Sequence, residues 1–247
     1  MFELTISLTI DKQHYINKLF KSLAQDVKRC AGIAIKQNYQ GRSFFSFAVD
    51  VFHKEYFKAK ILDFVVFVIS DDYKFNYYLN NLNHENTSVL FEPFVRAISI
   101  FDADCDREII KSQIDFSGEI LLDSFFYFKL QTLQNRWRKT AETINSNKIL
   151  SNSSAMLEVL RYLTEMSDSL IVKTDISITN KQIRLKGMNI SKCFKQNIKG
   201  QSSFLAEIIS LNPSKINLKV SADDDSFGEK MVDVLTEVFA DKIYLIN

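Results

Sequence analysis

The strongest constraint on the fold lies in the last part of the sequence. A short apolar run at 216–220 leads through an acidic loop into an amphipathic segment, and a second apolar run follows at 243–246. Ser226 and Glu229 have the spacing of a capping box, which marks the start of a helix. Apolar residues then recur every three or four positions, as on one face of a helix: Met231, Val234, Leu235, Val238 and Phe239. The pattern predicts a β-α-β unit whose closing strand lies in a core.

Aromatic residues are abundant in this sequence and chain breakers are scarce. The 247 residues include 21 phenylalanines but only 6 glycines and 2 prolines, while 46% are apolar and 25% are charged. Few glycines and prolines favour long regular elements, and each buried ring covers roughly 150–250 Å². A chain of this length can be stable without a disulfide or a metal. We therefore predict a helix-rich globular protein with one large domain or two smaller ones.

Charge and cysteine content set expectations for the compartment. The net charge is +1 without a long run of one sign, so the composition does not indicate a polyanion-binding surface. Cys30, Cys105 and Cys193 are far apart and odd in number, which is typical of a reducing compartment. The apolar block Ile61–Ile69 is shorter than the about 20 residues of a membrane-spanning helix. Met1–Ile10 alternates apolar and polar residues, unlike a signal peptide. We expect a cytoplasmic protein with no membrane span.

Residues 1–42 are predicted to form a small α/β unit. Residues 2–10 alternate apolar and polar side chains, which is typical of a strand with one buried face. Asp11 is expected to cap a helix, and Gly32 is expected to end it. The apolar stripe of this helix is Ile16, Leu19, Phe20, Leu23 and Val27. A second strand is expected at about 33–39.

Residues 43–147 are predicted to be a phenylalanine-rich helical middle, because their apolar period is mostly that of a helix. The predicted helices are Phe44–Ile69, as one long helix or a tight pair, a shorter helix capped by Asp71, Glu92–Phe101, and Ile120–Asn145 as the longest. Asp102–Gly118 is predicted to be a polar connection. The four consecutive aromatics Phe125–Phe128 cannot all face one side, so we expect the longest helix to be contacted on most of its circumference.

Residues 148–247 are predicted to form a mixed sheet with packed helices. A helix after the cap-rich stretch at 152–154 is expected to bury one stripe: Met156, Leu157, Leu160, Leu163 and Met166. A β-hairpin is predicted from Leu170–Ile178 and Gln182–Leu185, with its turn at Thr179-Asn180-Lys181. A helix at Ser203–Leu211 precedes the closing β-α-β unit. The sequence as a whole therefore predicts an α+β fold.

Two strings in the sequence resemble those of a known protein family. Residues 124–130 are similar to the family string Gly-Phe-x-x-Phe-Arg-Leu at the start of a long central helix, with Ser124 and Lys129 in place of the glycine and the arginine. The family string Ile-Ser-Leu-x-Pro-x-x-Ile is matched at 209–216. With the order of elements, these strings resemble the YtxC-like sporulation proteins of endospore-forming Firmicutes, and the resemblance covers about 43–247. It implies a cytoplasmic protein linked to sporulation, without an established biochemical activity or a catalytic residue to transfer.

The sequence has two short acidic runs. The alternating carboxylates of 102–106 are similar to a Ca²⁺ loop, but that loop needs a glycine and a later carboxylate where this chain has Arg107 and Gln113. We expect a solvated turn that caps a helix. The run Asp223-Asp224-Asp225 precedes a helix start, where negative charge is stabilising. His14, His53 and His84 are too scattered to indicate metal ligands, and the sequence contains neither a phosphate-binding glycine motif nor a nucleophile elbow. No metal, cofactor or catalytic residue is predicted.

The best candidate contact is a basic aromatic segment, Arg136-Trp137-Arg138-Lys139, with Lys129 two helical turns earlier. On one continuous helix, residues 129 and 136 lie on nearly the same face, so these side chains form a cationic patch beside the only tryptophan. Such a patch can contact a protein partner or stack on nucleic acid. In the alternative interpretation the basic residues are solvated and Trp137 belongs to a core stripe with Phe126, Leu130 and Leu133.

Three functions are therefore considered. The first is a non-enzymatic interaction or regulatory protein with an unknown protein partner and a role in sporulation. The second is nucleic-acid binding through the helix at 129–139. The third is an enzyme whose site is dispersed along the sequence.

Overall fold

The computed structural model describes residues 1–83, 88–167, 169, 171, 173–179, 182–187, 190–220 and 226–246, without the side chains of 226–229. The strands are β1 (Phe2–Thr9), β2 (Ile33–Tyr39), β3 (Arg42–Val49), β4 (Gly118–Leu121), β5 (Thr174–Ile178), β6 (Gln182–Gly187), β7 (Ile190–Lys195), β8 (Ile216–Val220) and β9 (Ile243–Leu245). The helices are α1 (Gln13–Arg29), α2 (Lys54–Val68), α3 (Phe75–Asn81), α4 (Phe91–Phe101), α5 (Ala103–Gln113), α6 (Leu122–Lys129), α7 (Gln131–Ser146), α8 (Ser153–Met166), α9 (Ile198–Leu211) and α10 (Ser226–Phe239). The fold is α+β, as predicted.

The chain forms two compact units, each built from segments that are distant in sequence. The first unit is Met1–Lys74 with Ala103–Arg138, and the second unit is Phe75–Asp102 with Lys139–Asn247. The division of the sequence into an α/β unit at 1–42, a helical middle at 43–147 and a mixed sheet with helices at 148–247 stays a prediction.

The first unit is built on a four-stranded sheet with the order β2-β3-β1-β4. β3 is antiparallel to both of its neighbours, and β4 pairs with β1 in parallel. Helices α1 and α2 cover one face of the sheet, where the Phe20 ring lies 6.0 Å from Phe45 and the Phe57 ring lies 5.2 Å from Phe47. The apolar side chains that β1 and β3 bury are Phe2, Leu4, Ile6, Leu8, Phe45, Phe47 and Val49.

The predicted helix at Phe44–Ile69 is wrong over its first part, which is strand β3. Ser43, Phe45, Phe47 and Val49 are buried and alternate with partly exposed residues, so the true period is two. The alternation is hard to see because the opposite face also carries apolar side chains, among them Phe44. Only the later part of the segment is helical, as α2.

The predictions for Asp102–Gly118 and Ile120–Asn145 are also wrong. The first segment is not a polar connection, because most of it is helix α5. The second is not one helix: strand β4 comes first, and the helix is interrupted at the buried Leu130, between α6 and α7. Of the aromatics at 125–128, Phe126 is buried, whereas Tyr127 and Phe128 are exposed. Tyr127 still contacts the Tyr73 ring, with 6.4 Å between centroids, so the expected burial around most of the helix fails most clearly at Phe128.

Two glycines set the ends of strand β2 in the first unit. Gly32 donates its N–H to the Val27 carbonyl at 2.9 Å where α1 ends, and a Cβ on Gly32 would lie 2.5 Å from the Ala48 carbonyl oxygen. Gly41 follows β2 with a φ of 74°, as the tight turn into β3 requires. The sequence predicted β2 correctly. Asp11, however, lies in a 3₁₀ turn before α1 and does not cap that helix.

The second unit contains a five-stranded mixed sheet with the order β7-β6-β5-β8-β9. β5 and β6 form the predicted hairpin; β5 begins at Thr174, and Leu170, where the hairpin was predicted to start, lies outside the described residues. Strand β7 extends the sheet beyond β6 and was missed by the sequence. The stripe of α8 buries Met156, Leu160 and Leu163 as predicted, but Met166 is exposed.

The closing β-α-β unit is present, with β8 and β9 parallel and α10 between them. The expectation that the last strand lies in a core is wrong, since β9 is at the edge of the sheet and Leu245 is 72% exposed. The capping-box side chains Ser226 and Glu229, the acidic run at 223–225, and the turn residues Asn180 and Lys181 lie outside the described residues.

Candidate functional site

The most unusual local structure is a π-helical turn, Ile69–Lys74, that follows α2 in the first unit. π-Helical turns are rare and often occur at functional sites. Four consecutive polar side chains of this turn, 71–74, contact three parts of the first unit: the start of α1, α6 and α5. We call these side chains and their partners the polar network.

The first two network residues tie the turn to the start of α1. The Tyr15 hydroxyl donates to the Asp71 carboxylate at 2.8 Å. The Lys12 ammonium lies 2.5 Å from the Asp72 carboxylate and 3.6 Å from the centre of the Tyr73 ring. Because Lys12 has both an acidic and an aromatic neighbour, this end of α1 is held against the turn by charge and by a cation–π contact.

Asp123, in the first turn of α6, is the acceptor at the centre of the polar network. Its carboxylate accepts the Tyr73 hydroxyl at 2.6 Å, the Arg42 guanidinium at 2.9 Å and the Thr9 backbone N–H at 3.1 Å. Arg42 also donates to the buried Ser7 hydroxyl at 3.1 Å. One carboxylate therefore joins the π-helical turn, β1, β3 and α6.

Burial, followed in size by the hydrogen bond to Asp123, raises the pKa of the Tyr73 hydroxyl well above its ordinary value. A proton held more tightly in the folded than in the unfolded chain contributes stability below the unfolded pKa of about 10, and that stability is lost as the pH rises above it.

Tyr73→Phe should therefore lower the free energy of unfolding by about 1.5–3 kcal/mol at neutral pH, since a hydrogen bond to a charged acceptor is lost. The difference from wild type should shrink above about pH 10. Urea unfolding of both proteins at neutral pH and above about pH 10 measures this difference in the free energy of unfolding. A difference that stays constant with pH would show that Tyr73 does not titrate as described.

Lys74 and Asp106 form a fully buried ion pair in the first unit. The Lys74 ammonium lies 2.7 Å from the Asp106 carboxylate, and neither side chain has exposed surface. The same ammonium is 5.9 Å from the centre of the Trp137 ring. Since a substrate cannot reach a pair without exposed surface, the arrangement can anchor α5 to the π-helical turn but cannot act on a substrate in this conformation.

The acidic segment 102–106 differs from both interpretations made from its sequence. Asp104 and Asp106 lie in the first turn of α5, and Asp106 is buried against Lys74, so it is not part of a solvated turn. Among the described residues, no group of three or more histidine, cysteine, aspartate or glutamate side chains could hold a metal ion.

The residues of the predicted basic contact belong to two helices. The helix is interrupted at Leu130, so Lys129 ends α6 whereas Arg136, Arg138 and Lys139 belong to α7. The premise of one continuous face is therefore wrong. Lys129, Arg138 and Lys139 are exposed and Arg136 is partly exposed. Whether these four basic residues contact a partner stays a prediction.

Trp137 follows the alternative interpretation. It is only 1% exposed, and its ring stacks on Phe126 with 5.7 Å between centroids. Leu130 and Leu133 are also buried, as a core stripe requires. Trp137 therefore has no free face for a base or for a partner.

An exposed apolar surface in the first unit was not found from the sequence. Ile33, Ile35 and Tyr39 alternate along one face of β2, and all three are exposed, Ile33 by 65%. Val51 and Phe52 are exposed in the turn that follows β3, and Phe52 is 91% exposed. Ile33 pairs with Ala48 near the end of β3, so this turn leaves the sheet at the Ile33 end. We call these five residues the β2 surface.

The comparisons with known proteins identify no relative. No family model, no curated protein and no solved structure matches the chain. Within the described part of the chain, no helix is both long enough and apolar enough to cross a membrane.

Proposed function

We propose that the chain is a non-enzymatic interaction protein that binds another protein through the β2 surface. The observation that supports this most is the exposure of Phe52. Moving an exposed phenylalanine ring from water into an interface is energetically favourable, and aromatic side chains are frequent binding hot spots. Ile33 and Ile35 add exposed apolar side chains at the same end of the sheet, and exposed apolar patches often mark interaction sites. The polar network supports the same proposal. Its charged side chains pair with one another within the first unit, as expected of residues that stabilise the fold.

The setting of this interaction is also part of the proposal. The resemblance of 124–130 and 209–216 to YtxC-like sporulation proteins motivates a cytoplasmic location and a role in sporulation. We expect the protein to capture more of its partner from sporulating cells than from growing cells. Equal capture from both would count against the role in sporulation.

The other two functions are weaker proposals. Nucleic-acid binding at 129–139 loses its stacking residue, because Trp137 is buried. An enzyme needs titratable groups that converge on an accessible pocket. The buried Lys74–Asp106 pair does not meet that requirement.

The proposal predicts that Phe52→Ser weakens capture of the partner at least about tenfold, as expected for loss of an aromatic anchor worth ≥ about 1.4 kcal/mol. The immobilised protein is exposed to an extract of its own cells, and the retained proteins are quantified. Phe128→Ser is the matched control, since Phe128 is also in the first unit and is 77% exposed. It should retain the partner.

Equal retention by the wild type and by Phe52→Ser would contradict the assignment to the β2 surface. Loss with Phe128→Ser alone would assign the interaction to α6. Equal unfolding midpoints of the two variants establish that neither result reflects unfolding.

A further inference from the structure

Strand β2 lies at the edge of the four-stranded sheet of the first unit. Its seven residues pair with β3 on one side, and the sheet has no described strand on the other side. An edge strand leaves backbone N–H and C=O groups that can pair with an added strand, as in peptide recognition by strand addition. β2 is therefore a template for a fifth strand.

The two faces of β2 differ in chemistry. One face presents the apolar Ile33, Ile35 and Tyr39. The other face lies beside α1, where the Lys36 ammonium donates to the Asn17 side chain at 2.6 Å. No carboxylate in the described part of the chain lies within ion-pair distance of Lys36. A strand added at this edge therefore meets an apolar surface on one side and an unneutralised cation on the other.

The solvent side of α1 extends the positive charge. Lys21 and Lys28 are exposed, and neither has an ion-pair partner among the described residues. The Lys18 ammonium lies over the Phe67 ring of α2, 3.9 Å from its centre. An open groove of about 590 Å³ on this side is lined by His14, Asn17, Lys18, Lys21 and Ser22. Side chains of an added strand that point towards α1 are stabilised there if they carry carboxylates.

We infer that β2 takes up an extended peptide of another protein as a fifth strand, and that this peptide alternates apolar with acidic side chains. The inference rests on the proposed function, because it names the form of the partner. Lys36 disfavours edge pairing with apolar or basic strands. The same lysine favours an acidic strand, so it selects the partner. A second copy of β2 does not fit, because Ile33–Tyr39 contains no acidic residue.

The test uses the full chain and two synthetic seven-residue peptides, one alternating valine with glutamate and one alternating valine with lysine. Binding is read from amide chemical shifts of 33–39 during titration. Wild type should bind the glutamate peptide at least about tenfold more tightly than the lysine peptide. Lys36→Glu should abolish or reverse this preference, whereas Lys186→Glu, at an exposed lysine of the second unit, should leave it unchanged.

A second arm tests the backbone pairing. The glutamate peptide with N-methylated backbone amides keeps its charges but cannot add to an edge, and it should lose binding. Equal affinity of the methylated peptide, no shift at 33–39, or an unchanged preference in Lys36→Glu would each overturn the inference. So would a dimer of the wild type, detected by sedimentation, that excludes both peptides.

Failure of this inference is distinguishable from failure of the proposed function. If the partner capture still depends on Phe52 but the peptides do not bind, the β2 surface binds a partner in another way. If capture is independent of Phe52 as well, the proposed function fails too.

Discussion

Asp106→Asn should lower the free energy of unfolding by about 3–5 kcal/mol, because it leaves the Lys74 ammonium in the core without its carboxylate. Lys74→Met should have a similar effect for the opposite reason, since Asp106 then loses its cation. Both side chains lack exposed surface, so the charge that remains in each single variant stays buried. Urea denaturation followed by circular dichroism measures each change.

The double variant Lys74→Met with Asp106→Leu is the informative control for this pair. It removes both charges and fills the space with apolar atoms, so it should be more stable than either single variant. Single variants that lose less than about 1 kcal/mol would indicate a solvated pair and contradict the buried geometry.

Trp137→Ala should destabilise the protein by about 3–5 kcal/mol, the usual range for removing a large buried aromatic side chain. The indole stacks on Phe126 and lies beside the Lys74 ammonium, so its removal leaves a cavity and takes away a cation–π contact. Unfolding monitored by circular dichroism gives the value, because the variant has no tryptophan fluorescence.

Phe128→Ala is the matched control for Trp137→Ala. Its ring is 77% exposed, so the change should stay within about 0.5 kcal/mol of the wild type. A Trp137→Ala variant that is as stable as the wild type but no longer captures the partner would contradict this. It would show that Trp137 is a contact residue and not a core residue.

The sequence predicted elements well where one face is apolar and the other is polar. β1 shows this alternation clearly, and α1 shows the corresponding helical stripe. The prediction failed at β3, where Phe44 on the open face obscures the period of two. It failed again at Leu130, since neither a glycine nor a proline marks the interruption between α6 and α7. Burial of Leu130 is a tertiary effect that local patterns do not contain.

The polar network has almost no signal in the sequence. Tyr73 and Asp123 are 50 positions apart, and Lys74 and Asp106 are 32 positions apart. Each looks like an ordinary surface residue until the fold brings its partner near. The β2 surface did have a signal, because Ile33 and Ile35 alternate along a short strand. Their exposure depends on the edge position of β2, which the missed strand β3 defines.

We propose that the polar network holds the fold and that the β2 surface binds the partner. The most direct test measures retention of the partner side by side for Phe52→Ser and for the Lys74→Met, Asp106→Leu double variant, at a temperature where both are folded. We expect the double variant to retain the partner and Phe52→Ser to lose it. A folded double variant that loses the partner, beside a Phe52→Ser variant that keeps it, would contradict the account.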